Sequence, residues 1–226
     1  MILAMPQFAV IFDADGVLVD SYQAHFESWR QLAIEQGEGM TPEQFAKTFG
    51  RTSREIIRQY WSPDGLTDER IRAIDERKES IYRAIIADQF PTMPGALELI
   101  ADLEQAGFLV GVGTSGPPEN LAIMLRELHG DRWCQASVSA VDVKRGKPDP
   151  EVFLLCAQRL GVEPKHCAVV EDAAPGIAAA QAAGMLAIGL VSHGHTHEEL
   201  AAADHRVDQH AELSARRIAE WLRTTA

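Results

Sequence analysis

The chain has 226 residues, of which 46% are hydrophobic, and it carries 21 basic against 33 acidic side chains, a formal net charge of −12. This length suits one medium-sized domain, or a core domain with a smaller insertion. The acidic balance argues against nucleic acid or an anionic membrane surface as the main partner. An anionic substrate must therefore be met by a locally positive site, built from a metal ion or a few placed cations.

The cysteines and the first residues indicate where the protein works. Cys134, Cys156 and Cys167 are odd in number and widely spaced, which favours free thiols in a reducing compartment over disulfides or a zinc site. The first seven residues lack the basic start of a signal peptide, and no apolar run approaches the length of a membrane span. We therefore predict a soluble, cytoplasmic protein.

The first motif joins a predicted strand to a pair of acids. The apolar run Phe8 to Phe12 is typical of a buried strand, and Asp13 and Asp15 follow it directly. Open α/β sheets place their chemistry at the carboxyl ends of strands. Gly16 allows a bend after which both carboxylates converge on one substrate atom. Such a pair suits a nucleophile and a proton donor, and the alternative is a solvated acidic turn.

The next seventy residues are helical in their hydrophobic spacing and contain no convincing strand. Four helices are predicted there, over residues 21–36, from residue 41, and over residues 53–61 and 67–88. The region closes at the proline-rich residues 90–95, which predict a stiff junction. We interpret residues 21–90 as a helical insertion.

From residue 96 onward, predicted helices and strands alternate. The strands fall at residues 108–112, 136–138, 167–170 and 186–190, and the helices at residues 96–106, 118–128, 150–160, 175–183 and 211–222. Repeated βα units indicate a parallel, doubly wound sheet with helices on both faces. The predicted fold class is α/β, with a Rossmann-like core of residues 1–20 and 91–226 and the α-helical insertion as a second domain.

Two further motifs at predicted strand ends suit a phosphate. Thr114, Ser115 and Gly116 lead into a helix, where a hydroxyl and free backbone N–H groups can bind an anion, although an N-cap is the plainer alternative. Lys147 stands next to a proline just before another helix, and its plainer alternative is a lysine in a surface loop.

The last motif is the acidic pair Glu171 and Asp172, at the end of a predicted strand. The pair either caps the next helix or completes an oxygen-rich metal site with the first acids. Together, the motifs fit the transfer of a phosphoryl group. A hard cation such as Mg²⁺ removes the repulsion between a carboxylate nucleophile and a phosphate, and lysine and threonine orient the transferring oxygens.

The order Asp13-x-Asp15, Thr114, Lys147, Glu171-Asp172 resembles the four motifs of the haloacid dehalogenase superfamily of phosphohydrolases. The resemblance implies that Asp13 is the nucleophile that forms an aspartyl-phosphate, and that Asp15 is the general acid/base. The true dehalogenases of the superfamily lack the second aspartate, so Asp15 argues against carbon–halogen chemistry.

The same resemblance implies the cofactor and its ligands. Mg²⁺ is expected on Asp13, on the backbone carbonyl of Asp15 and on Asp172, with Glu171 close behind them. The phosphate is expected on Thr114 and Lys147, beside Ser115 and Gly116.

The helical insertion looks like the cap domain of the branch that holds β-phosphoglucomutase and small-molecule phosphatases. By this resemblance, His25 assists the acid/base aspartate, Arg54 grips the far end of the substrate, and Lys78 occupies a second basic position in the cap. The alternatives are an interfacial histidine without a role for His25 and solvated helix charges for the other two.

The expected function is therefore a Mg²⁺-dependent phosphatase that hydrolyses a small phosphate monoester, a sugar phosphate. The alternative is a hexose-phosphate mutase, and a binding protein without turnover is disfavoured because every catalytic position is filled. We expect a small phosphorylated metabolite as partner, no nucleic acid or membrane, and a monomer or weak homodimer. The run of three histidines, His193, His195 and His197, is not expected to form a functional metal site.

Overall fold

The computed structural model describes residues 7–48, 53–61 and 65–225. The chain forms two compact units, one made of the residues up to Asp20 and from Thr92 onward, the other of Ser21–Pro91. No helix within these described residues is long and apolar enough to cross a membrane.

The smaller unit is helical over its described residues. Its elements are α1 (Tyr22–Glu35), α2 (Pro42–Ala46), α3 (Ser53–Trp61) and α4 (Asp68–Asp88). Helix α4 packs against both α1 and α3. Apolar side chains at helical spacing, including Trp29, Phe45 and Ile57, fill the space between the helices. Helices α2 and α4 begin where the sequence predicts, at Thr41 and Thr67. Each threonine hydroxyl accepts a hydrogen bond from a backbone N–H of the first turn.

A six-stranded parallel sheet forms the centre of the larger unit. Its strands are β1 (Ala9–Phe12), β2 (Leu109–Gly113), β3 (Ala136–Val138), β4 (Cys167–Glu171), β5 (Leu186–Leu190) and β6 (His205–Val207). Their spatial order is β3-β2-β1-β4-β5-β6, and every neighbouring pair is parallel. In this doubly wound order the connections change direction between β1 and β4. The predicted α/β fold class is confirmed.

Helices cover the sheet. They are α5 (Ala96–Gln105), α6 (Pro118–Glu127), α7 (Gly130–Trp133), α8 (Glu151–Leu160), α9 (Ala174–Ala182) and α10 (Ala215–Thr225). Helices α8 and α9 contact each other, and they share a core with Ala9 and Ile11 of β1. The intervening side chains of β1 point to the opposite face, because side chains alternate along a strand. Helices α5 and α10 contact each other. Helix α5 also contacts β2, and α10 contacts β4 and β5.

The structure departs from the predicted elements near the carboxyl terminus. Strand β6 was not predicted, because three residues that include His205 and Arg206 carry no apolar strand pattern. The helix predicted over residues 211–222 begins later, at Ala215. Its first N–H groups are taken by side chains, with Ala215 donating to the Asp102 carboxylate and Arg217 to the Ser214 hydroxyl, so Ser214 caps the helix.

Candidate active site

Two neighbouring strands bring the acidic motifs together. Strands β1 and β4 are paired in register from Ala9 to Phe12, and the ladder continues as the Asp13 N–H donates to the Val170 carbonyl over 3.0 Å. The ends of β1 and β4 therefore place Asp13, Glu171 and Asp172 at one edge, where the connections change direction. One carboxylate oxygen of each lies within 4.8 Å of the others, and all three residues are buried.

Among the described residues, one ammonium group, that of Lys147, contacts carboxylates of this cluster. Lys147 Nζ donates to Asp13 Oδ1 over 2.7 Å and to Glu171 Oε1 over 2.6 Å. The Lys147 side chain is only 8% exposed, and its Nζ lies 4.7 Å from the centre of the Phe153 ring. The alternative of a surface lysine is therefore wrong. Lys147 joins the ends of β1 and β4 by two charge-assisted hydrogen bonds.

Negative charge exceeds positive charge in this buried cluster. Burial raises the pKa of Asp13 to about 7, since the Lys147 ammonium opposes the desolvation only in part and Glu171 adds repulsion. Burial, together with Glu171 and Asp13, also raises the pKa of Asp172. Burial by itself lowers the pKa of Lys147, but the two carboxylates outweigh it and hold that pKa above its ordinary value.

The donor set fits a hard divalent cation. Asp13, Glu171 and Asp172 offer only oxygen atoms, which are the ligands that Mg²⁺ takes, whereas zinc favours nitrogen and sulfur. The positive charge of such a cation would also balance the cluster. Among the described residues, the Lys147 ammonium compensates one of the three buried carboxylates and leaves two. The metal expectation therefore agrees with the residues present.

Two glycines make room for the acidic side chains. Gly16 has φ +72°, and a Cβ there would overlap Asp172 Oδ2 and lie 2.6 Å from its Cγ. A Cβ on Gly176, in the first turn of α9, would overlap Glu171 Oε1 and lie 2.6 Å from its Cγ. Gly16 was predicted for its backbone freedom alone. The structure adds that its missing side chain lets Asp172 lie against it.

The loop after β2 borders the second aspartate. Thr114 is buried, and its hydroxyl accepts the Gly116 N–H over 3.0 Å. A Cβ on Gly116 would lie 3.9 Å from Asp15 Oδ2, so this loop adjoins the half-buried Asp15. Ser115 is exposed. The structure therefore brings the loop of Thr114 and Gly116 close to the Asp15 carboxylate.

The residues predicted in the smaller unit include a contacting pair, the buried Lys78 and the half-buried His25. Lys78 Nζ lies 2.7 Å from His25 Nδ1 and forms an ion pair with Glu79 at 2.7 Å. The His25 ring stacks on Tyr82 with centroids 4.1 Å apart. With its side chain 3% exposed, Lys78 is not a solvated helix charge, so that alternative is wrong. Arg54, in contrast, is exposed on α3.

Sequence reasoning missed Ser192 and gave His195 no role, and both side chains lie at the acidic cluster. Ser192 Oγ donates to Asp172 Oδ2 over 2.6 Å, and His195 Nε2 lies 4.0 Å from the same oxygen. His195 is 9% exposed, while His193 and His197 are exposed. The signal that could have found Ser192 and His195 is their place just beyond β5, the strand next to β4.

The family model for haloacid dehalogenase-like hydrolases matches residues 9–184. A phosphorylated carbohydrates phosphatase from Thermotoga maritima is 31% identical over 189 residues, which cover 82% of this chain and 85% of the relative. Hexitol phosphatase A from Escherichia coli is 35% identical over 175 residues, or 77% of this chain and 78% of the relative.

Among solved structures, a β-phosphoglucomutase from Clostridium difficile matches with a TM-score of 0.83 and 26% identity, over 96% of this chain and 98% of that one. The chain belongs to the haloacid dehalogenase-like hydrolase family. The resemblance found in the motifs is confirmed, and the protein is a phosphohydrolase of that family.

Proposed function

We propose that this protein is a Mg²⁺-dependent phosphatase that hydrolyses a small phosphate monoester, a sugar phosphate, through an aspartyl-phosphate. The observation that carries the proposal is the buried cluster of Asp13, Glu171 and Asp172 around the Lys147 ammonium. The names of two relatives, a phosphatase of phosphorylated carbohydrates and a hexitol phosphatase, support the substrate class.

In the first half-reaction, a carboxylate oxygen of Asp13 attacks phosphorus, and the bond from phosphorus to the substrate's ester oxygen breaks. Asp15 gives its proton to that leaving oxygen. Lys147 holds the Asp13 carboxylate in place through Oδ1 and, with Thr114, binds the transferring phosphoryl oxygens.

In the second half-reaction, Asp15 takes a proton from water, whose oxygen attacks phosphorus. The bond from phosphorus to Asp13 breaks, inorganic phosphate leaves, and Asp15 is protonated again. Asp13, Asp172 and the Asp15 carbonyl, with Glu171 behind them, would hold Mg²⁺, whose positive charge would let a phosphate approach the carboxylates.

The smaller unit acts as the cap in this proposal. His25 assists the acid/base aspartate, and Lys78 binds the substrate from a second basic position in the cap. Arg54 binds the end of the substrate away from the phosphate, and Ser115 and Gly116 contribute to phosphate binding. The contact between Lys78 and His25 supports a joint role for these two residues.

The test is phosphate release from a panel of phosphorylated metabolites with Mg²⁺, for the wild type and for Asp13→Asn. We expect the variant to keep the fold and to lose nearly all turnover, because an amide is a poor nucleophile. Asp131→Asn, an exposed acid on α7, is the matched control and should behave as the wild type. A rate of even one tenth of the wild type in Asp13→Asn would refute the assignment.

A mutase is the second candidate, since the structure resembles a β-phosphoglucomutase. A mutase must also bind a second phosphate, and the mutases that this chain resembles carry a Ser-Lys-Asn run after the second motif. Here the corresponding run is Gly116-Pro117-Pro118, which has one backbone N–H and no side-chain hydrogen-bond donor. We therefore favour hydrolysis. Efficient conversion of β-glucose 1-phosphate to glucose 6-phosphate, with a trace of bisphosphate and little free phosphate, would overturn this choice.

A further inference from the structure

The three carboxylates of the cluster are held in different ways. Asp13 and Glu171 each accept a hydrogen bond from the Lys147 ammonium. Asp172 accepts one from the Ser192 hydroxyl instead, over 2.6 Å. A hydroxyl fixes the position of a carboxylate without cancelling its charge, whereas an ammonium does both. The difference leaves Asp172 well placed and still available to a cation.

The oxygen that Ser192 contacts lies in a narrow space. Asp172 Oδ2 lies against the Gly16 backbone, where a Cβ would overlap this oxygen and would lie 3.0 Å from Ser192 Oγ. His195 Nε2 lies 4.0 Å from Oδ2. Backbone, hydroxyl and imidazole thus surround one of the two carboxylate oxygens. These neighbours restrain Oδ2 and, through it, the orientation of the Asp172 carboxylate.

The segment that carries Ser192 is itself held on the sheet. The Val191 N–H donates to the Val207 carbonyl over 2.9 Å, which extends the pairing of β5 with β6. Thr196 and Glu199 exchange backbone-to-side-chain hydrogen bonds, and the buried Leu200 packs near Gly189 of β5. Ser192 is therefore presented to Asp172 from a segment that is fixed at both ends.

We propose that Ser192 is a positioning residue for the metal ligand Asp172, an inference that rests on the proposed Mg²⁺ site. Its hydroxyl donates a hydrogen bond to Oδ2 and so restricts the Asp172 side chain to one rotamer before the cation binds. Hydrogen-bond partners of metal ligands typically change metal affinity by about 10–100-fold when they are removed.

The experiment is calorimetric titration of the full-length protein with MgCl₂ alone, without substrate. Ser192→Ala should raise the Kd for Mg²⁺ by roughly 10-fold or more. Ser192→Thr keeps the hydroxyl and should bind close to the wild type. His193→Ala is the matched control, since the Nδ1 of this exposed neighbour lies 3.2 Å from Asp20 Oδ1 and the substitution should leave the Kd unchanged. Thermal unfolding gives a second measurement. Addition of Mg²⁺ should raise the midpoint of Ser192→Ala less than that of the wild type, Ser192→Thr or His193→Ala.

Unchanged affinity in Ser192→Ala overturns the inference, and so does an equal loss in Ser192→Thr, which would assign the effect to packing. If Ser192→Ala does not fold, Ser192→Cys replaces it, since a thiol fills the space with a weaker donor, and wild-type affinity there refutes the role. If the wild type itself binds no Mg²⁺, the metal site of the proposed function fails. Binding that is indifferent to Ser192 refutes the positioning role alone.

Discussion

Replacing Gly176 by alanine tests how closely the acidic cluster depends on the start of α9. A Cβ at this position would overlap Glu171 Oε1 and lie 2.6 Å from Glu171 Cγ, so the Glu171 side chain must turn away. It would then lose the hydrogen bonds that it accepts from Lys147 Nζ, at 2.6 Å, and from the Ala173 N–H, at 2.8 Å. The φ of Gly176 is not positive, so alanine introduces no backbone strain.

Two effects of opposite sign compete in this variant. Alanine favours a helix over glycine by up to about 1 kcal/mol. Each hydrogen bond to a charged group contributes about 1.5–3 kcal/mol, and Lys147 keeps its bond to Asp13. The loss of two such bonds therefore exceeds the gain, and we expect a net destabilisation of about 2–5 kcal/mol. In a chain of this size that lowers the thermal midpoint by roughly 4–20 °C.

The assay is a double-mutant cycle in thermal midpoints, measured by differential scanning calorimetry. With Glu171→Ala already present, the new methyl group meets no carboxylate, so Gly176→Ala should now raise the midpoint by a few degrees, about 2–4 °C. Gly146→Ala is the control, because a Cβ there meets nothing within 4 Å. Stabilisation by Gly176→Ala in the wild-type background, or equal destabilisation in both, would refute the reasoning.

Three other outcomes are expected. Asp15→Asn should slow turnover by about 10²–10⁴-fold and keep the protein phosphorylated after mixing with substrate, and a wild-type rate would contradict its role as acid/base. Mg²⁺ at 100 times its Kd should stabilise the wild type by about 2.7 kcal/mol but not Asp172→Ala, and an equal thermal shift in both would show that the ion binds elsewhere. Burial lowers the pKa of His210 from 6.5 to about 4. The stability that neutral His210 contributes is therefore complete above pH 6.5 and is lost by up to about 3 kcal/mol toward pH 4. The thermal midpoint of His210→Asn should fall less than that of the wild type across this window.

The sequence predicted those parts of the molecule whose signals are local. The apolar run before Asp13 and the repeated βα pattern were enough for the parallel sheet, because strand pattern and strand ends follow from neighbouring residues. Local chemistry also located both threonine caps. Strand β6 lacked such a signal, since it owes its conformation to pairing with β5.

The sequence predicted where the residues of the candidate site lie in the sheet, but not which hydrogen bonds their side chains make. The rule for strand ends placed Asp13 and Asp172 at one edge of the sheet, and the structure brings their carboxylates together. That rule cannot say which oxygen accepts from which donor, because hydrogen bonding depends on rotamers set by tertiary packing. For this reason the sequence predicted neither the hydrogen bond from Ser192 to Asp172 nor the burial of Lys78 against His25.

Within the described part of the chain, one lysine contacts the cluster, and the charges of the carboxylates explain why one is enough. Asp13, Glu171 and Asp172 contribute three negative charges when ionised, and Lys147 returns one, which leaves two for a divalent cation to balance. A second lysine in place of Ser192 would neutralise Asp172 and repel the cation. A fully apolar neighbour would leave Oδ2 without a hydrogen bond in a buried space, which is costly. A hydroxyl avoids both penalties, and this physical balance is what makes Ser192 a suitable partner for Asp172.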